Sequence, residues 1–141
     1  MLKIFRASAW LQDRGVPLVP RLLYIFNRIV FSVALPPTVR VGERVLFGYS
    51  GLGIVVHARS VIGNDVKISQ NVTIGGRSGF WGVPVIEDEV EIGAGACVLG
   101  PVRIGRGAKI GANAVVLSDI PPGSIAVGVP AKVRSPSKEN S

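Results

Sequence analysis

The chain has 141 residues, 48% hydrophobic but only 6% aromatic, with 18 glycines, 10 prolines and a formal net charge of +7. That length holds one core, and a single cysteine, Cys97, excludes an internal disulfide and fits a reducing compartment. The positive charge comes with no aromatic platform or dense Lys/Arg run, which argues against a nucleic-acid partner. One histidine beside one cysteine argues against a metal site.

Residues 1–36 read as a basic helical segment. Lys3, Arg6, Gln12, Asp13 and Arg14 interrupt residues 1–15, so no cleavable signal peptide is expected and the location expected is cytoplasmic. Pro17 and Pro20 predict a break between two helices, the second beginning near Pro20. The stretch from Arg21 to Leu35 is too short to span a bilayer and is broken by Asn27 and Arg28. Pro36-Pro37 is expected to end the helical part. Lys3, Arg6, Arg14, Arg21, Arg28 and Arg40 face only Asp13. Two readings follow: a peripheral membrane surface beside an apolar helical face, or a helix packed on the rest of the domain or on a neighbouring subunit with its arginines solvated.

A domain of residues 37–134 follows, and its period is six. Val56, Ile62, Ile68, Ile74, Ile86, Ile92, Val98, Ile104, Ile110 and Val116 fall on one grid. Four places after each aliphatic comes a small or β-branched residue, Ser60, Val66, Val72 and Ser78 among them. Neither a helix nor a plain strand repeats at six. Short strands joined by tight turns do, three hexads closing one triangular coil of a mainly β solenoid. Each aliphatic points inward onto its equivalent in the next coil, worth roughly 1.5–3 kcal/mol when fully buried. Gly63, Gly75, Gly93, Gly105 and Gly111 directly follow an aliphatic and are expected to relax the turn through φ > 0. Gly48 to Gly53 is expected to form a turn or bulge. The segment at 75–85, GGRSGFWGVPV, keeps the grid in register, so it reads as one distorted hexad pair or as an extruded loop. Trp81 within it could stack on a sugar ring or adenine, or anchor an interface. Cys97 reads as a small core or corner residue, and residues 135–141 as a flexible tail.

Three hexads, Ile92-Gly-Ala-Gly-Ala-Cys97, Ile104-Gly-Arg-Gly-Ala-Lys109 and Ile110-Gly-Ala-Asn-Ala-Val115, resemble those of the hexapeptide-repeat acyltransferases. Asn71-Val-Thr-Ile-Gly-Gly-Arg77 and Val127-Gly-Val-Pro-Ala-Lys132 narrow the resemblance to the serine O-acetyltransferase-like branch. It covers about residues 36 to 134. The resemblance implies a left-handed parallel β-helix, a homotrimer, and acetyl-CoA as co-substrate in a groove between adjacent solenoids. It also implies that Gly93, Gly111 and Ala112 contact the pantetheine arm and that Lys132 and Arg134 meet CoA phosphates. Ordinary solvated charge is the alternative for those two cations.

Acyl transfer needs a base for the acceptor hydroxyl, a dipole for the developing oxyanion and a donor held in line. His57 directly follows a grid aliphatic, so it is expected to face outward, and it is the candidate catalytic base. Tyr49 and Trp81 are candidate acceptor contacts, although a phenol is a poor base at neutral pH. The serine acetyltransferases carry an Asp-His pair before the Gly-Ile-Val-Val segment, where this chain has about Gly48 and Tyr49. They carry a second histidine before the proline matching Pro84, where this chain has Val83. The leading expectation is therefore acetyl transfer to a sugar hydroxyl in surface-polysaccharide biosynthesis. Serine O-acetylation in cysteine biosynthesis and a non-catalytic CoA- or partner-binding solenoid are the alternatives.

Overall fold

The computed structural model describes residues 1–134, and the tail expected at 135–141 lies outside the described residues. Helices α1 (Leu2–Asp13) and α2 (Val19–Phe31) pair as a hairpin. The Ser8 hydroxyl donates to the Pro20 carbonyl at 2.9 Å, and Asn27 Nδ2 donates to the Met1 carbonyl at 3.3 Å. Phe5 of α1 is buried in the hydrophobic core. The helical part ends earlier than the Pro36-Pro37 pair suggests, because Ser32 turns left-handed at φ 53. The reason is competition from the sheet: Ala34 bridges Val55, and Val33 and Leu35 enter the core.

The first coil carries β1 (Arg40–Val41), β2 (Leu46–Phe47) and β3 (Val55–Val56). The second carries β4 (Val61–Ile62), β5 (Lys67–Ile68) and β6 (Thr73–Gly75), and the third β7 (Val85–Ile86), β8 (Glu91–Ile92) and β9 (Cys97–Leu99). The fourth carries β10 (Arg103–Ile104), β11 (Lys109–Ile110) and β12 (Val115–Val116), before β13 (Ile125–Val127) and β14 (Lys132–Arg134) close the described chain. Strands β1, β4, β7 and β10 form one face. A second face holds β2, β5, β8, β11, β13 and β14, and a third β3, β6, β9 and β12. Every pairing is parallel except β13 with β14. This is a parallel β-solenoid, consistent with the left-handed β-helix that the hexads imply.

Pairing in register stacks the grid. Ile62 sits on Ile86 and Ile86 on Ile104; Ile68 sits on Ile92 and Ile92 on Ile110; Ile74 sits on Val98 and Val98 on Val116. All are buried, as are the corner residues Ser60, Val66, Val72, Val90, Ala96, Ala108 and Ala114.

Two expectations are corrected. The glycine after each aliphatic does not sit at positive φ; that conformation falls three residues after the aliphatic, at Asp65, Asn71, Glu89, Gly95, Gly107 and Asn113. At Gly63, Gly93, Gly105 and Gly111 glycine is needed for close approach instead, whereas a Cβ at Gly75 would meet nothing nearer than 3.6 Å. A Cβ at Gly63 would strike Asp88 Oδ1 and lie 2.8 Å from the Asp88 nitrogen, and one at Gly93 would lie 2.7 Å from the Ala112 nitrogen. The second correction concerns Ser78, which is exposed in a loop, while Pro84 is buried. Ile74 to Ile86 spans two hexads where the stacked Val98 to Ile104 spans one, so six residues leave the coil as an extruded loop. The grid survives because the insertion has the length of one hexad.

Outside, side chains answer the turns. Asn64 Oδ1 accepts from the Glu43 N–H, Asp88 Oδ1 from Asn64, and Asp119 Oδ1 from Arg103. Arg44 grips Asp65 through two nitrogens at 2.7 and 2.9 Å, and Glu91 lies between Lys67 and Lys109. The Arg44 hydrogen bond holds the Asp65 carboxyl below its ordinary range, and the Lys67 hydrogen bond does the same for Glu91. Depressed carboxyls stabilise the fold above their unfolded pKa and lose that contribution as pH falls through the lowered folded values. The thermal midpoint should therefore drop across that acid range, by less in the Asp65→Asn variant. Ile92→Ala, which removes an aliphatic stacked above and below, should cost about 2–5 kcal/mol in urea unfolding.

Candidate functional site

The triangular cross-section leaves three outward edges, and the sequence-predicted residues divide between two of them. Tyr49, Gly93, Gly111 and Ala112 lie on the edge between the second and third faces. His57 and Trp81 lie on the edge between the third and first faces. Strand β3 therefore separates Tyr49 from His57, and one chain does not bring them together. Lys132 and Arg134 are exposed on β14, at the last rung of the second face, where Lys132 pairs with Val127. Val127 Cγ1 in turn lies where a Cβ on Gly111 would fall, 2.8 Å away. Lys132 thus adjoins the Gly111 turn.

His57 is half-buried, and its surroundings fix its tautomer. The Arg59 backbone N–H donates to His57 Nδ1 at 3.2 Å. In neutral imidazole the accepting nitrogen carries no proton, so the proton resides on Nε2. In that tautomer Nδ1 is the acceptor and Nε2 the donor. Gly76 borders the ring: a Cβ there would lie 3.9 Å from Cδ2.

Arg59 is the residue that sequence reasoning missed. Its Nη2 donates to the Trp81 carbonyl at 2.7 Å, and its guanidinium stacks 4.3 Å from the Trp81 ring centroid. Arg77 covers Phe80 in the same way at 4.9 Å. Arg59 thus ties the extruded loop to the imidazole, with cation–π stacking holding the loop tip. Nothing in its spacing marks it beyond a position two residues after the histidine. Trp81 remains 84% exposed.

The turn around Tyr49 is strained. The 3₁₀ turn Gly48–Gly51 holds Tyr49 at φ 48 and Ser50 at φ 55, two consecutive side-chain-bearing residues in the left-handed region. Each costs about 1–2 kcal/mol, and the result is a Tyr49 side chain held 78% exposed. Cys97 faces outward on the third face, half-buried between Thr73 and Val115. Among the described residues no cluster of three or more metal-ligating side chains occurs. A groove of about 900 Å³ opens between α1 and the first coil and is lined by neither His57 nor Trp81.

Comparison with known proteins gives a consistent set of relatives. Residues 84–118 match the family model described as bacterial transferase hexapeptide, six repeats. A serine acetyltransferase of Mycobacterium tuberculosis is 42% identical over 130 residues, 91% of this chain and 56% of that protein. One from Helicobacter pylori is 41% identical over 133 residues, 93% of this chain and 77% of that protein. Soybean serine acetyltransferase complexed with serine superposes with a TM-score of 0.89 at 40% identity, covering 94% of this chain and 55% of that one. A serine acetyltransferase in complex with CoA gives 0.88 at 37% identity, with 94% and 55% coverage. The chain spans about half the length of several curated relatives it matches.

Because the chain has a single histidine, its tautomer can be read directly. A long-range ¹H–¹⁵N spectrum of the neutral ring should show Nε2 protonated and Nδ1 bare. A dominant Nδ1–H signal would refute the Arg59 contact.

Proposed function

Since the chain belongs to the hexapeptide-repeat acyltransferase family, in its serine acetyltransferase-like branch, we propose that it transfers acetyl from acetyl-CoA to a hydroxyl, with serine as the first acceptor. The relatives' names and the serine- and CoA-bound neighbours support this order of acceptors, which reverses the one expected from the sequence. The observation that carries the chemistry is the Arg59 N–H donated to His57 Nδ1, which in the neutral ring leaves Nε2 as the protonated nitrogen. A preorganised N–H suits the oxyanion that develops as the acceptor oxygen adds to the thioester carbonyl. The C–O bond then forms, the C–S bond breaks, and the acceptor proton passes to the leaving thiolate.

The residues present fit the donor. Ala112 is exposed beside the half-buried Gly93 and Gly111, a turn edge suited to an amide-bearing arm, and Lys132 and Arg134 are exposed cations suited to phosphates. Tyr49 and His57 bound opposite edges of the third face, so a site using both draws them from two chains, and the assembly proposed is a homotrimer. A sugar hydroxyl of surface-polysaccharide assembly is the second reading, favoured by Trp81, whose exposed indole is suited to stacking on a sugar ring.

Release of CoA thiol from acetyl-CoA, with L-serine and a panel of nucleotide sugars, tests the proposal. His57→Ala should lower kcat by about 10²–10³. His57→Gln, which retains an N–H near the Nε2 position, should recover part of the loss. Equal loss in both variants would favour a base. Absence of turnover on every acceptor, with acetyl-CoA still bound, would leave a binding solenoid and sink acetyl transfer.

A further inference from the structure

Helix α2 leaves an apolar face without a partner. Its buried side, Pro20 and Asn27, turns towards α1. On the other side Leu18, Leu22, Ile25, Phe26 and Ile29 are exposed by 67, 63, 40, 49 and 75%. At helical spacing these five fall within an arc of about 100°, a continuous stripe on a helix of 13 residues. Arg21 and Arg28 lie just outside the stripe, beside Ile25.

Charge decides what covers it. In the solenoid, Arg44, Lys67, Arg103, Arg106 and Lys109 pair with carboxylates, while Arg40, Arg59 and Arg77 form no ion pair among the described residues. Over residues 1–32, Lys3, Arg6, Arg14, Arg21 and Arg28 meet one acid, Asp13. Among the described residues, Arg21 and Arg28 form no ion pair. Pairing of α2 with α2 in a second copy would bring them no carboxylate, since α2 contains none. An anionic lipid surface supplies both missing partners, hydrocarbon for the stripe and headgroup phosphates for the arginines. No described helix is long and apolar enough to cross a membrane, so the helix would lie in the interfacial plane.

We propose that α2 is an in-plane docking helix for anionic bilayers, inserting the Leu18–Ile29 stripe with Arg21 and Arg28 at headgroup level. Docking is independent of acetyl transfer. It would bring the membrane to the end of the solenoid where α1 packs, since Arg6 bonds the Gly42 carbonyl of the first coil.

Flotation of the full 141-residue chain tests this, with vesicles of phosphatidylcholine alone and of phosphatidylcholine mixed with phosphatidylglycerol. The chain should float with the anionic vesicles only and be released by salt. Arg21→Gln with Arg28→Gln should lower partitioning roughly thirtyfold, and Leu22→Ser with Ile29→Ser should abolish it. These four positions are exposed, and circular dichroism should show the fold intact. Absence of flotation would overturn the proposal, as would flotation indifferent to both variants. Self-association lost in Leu22→Ser with Ile29→Ser, without vesicle binding, would assign the stripe to a second copy.

Discussion

Adjacent strands of a sheet stand about 4.8 Å apart, and in this solenoid that spacing is imposed on side chains as well as backbone. Ile92 must fit between Ile68 below and Ile110 above, and equivalent demands recur on each face. A side chain too small leaves a void at every contact with its neighbours, and one too large forces rungs apart. The same spacing governs the corners. Where one turn rides on the next, a Cβ at Gly63 or Gly93 would strike the backbone of the coil above. Stacking thus fixes both the aliphatic grid and the glycines beside it.

Because the interior is committed to stacking, chemistry is confined to the edges. The candidate site residues occupy turns: His57 and Arg59 on one, Tyr49 on another, and the loop bearing Trp81 extruded from a third. Each is held by a device that the coil itself supplies. The Arg59 N–H sets the imidazole tautomer, the left-handed pair at Tyr49 and Ser50 presents the phenol, and Arg59 stacking anchors Trp81. A rigid frame with local attachments of this kind suits the proposed acetyl transfer, in which two substrates are held in line.

The frame was legible in the sequence because inward positions answer to one requirement, size and apolarity at every sixth residue. Turn conformation was less legible. Glycine beside an aliphatic suggested positive φ, but Asp65, Asn71 and Glu89 adopt that conformation elsewhere in the turn, and the glycines respond to a neighbour one coil distant. Ser78 and Pro84 show the same limit. Periodicity counts residues along the chain and does not register six that leave the coil and return. His57 was found because it is the chain's single imidazole, yet its protonated nitrogen depends on a backbone contact that no spacing encodes. The helices were legible as a basic segment with an apolar face; which face stays bare depended on the Ser8 and Asn27 contacts between the helices.

The second face runs in the order β2, β5, β8, β11, β13, β14, five steps from first to last. At about 4.8 Å per step the stack separates the coil beneath α1 from Lys132 and Arg134 by about 24 Å. That is about three Debye lengths at physiological ionic strength. The cations of the helical end and those of β14 therefore act as separate electrostatic neighbourhoods. An anion held at one end neither screens nor repels an anion arriving at the other, and the two ends of the prism can be occupied at once.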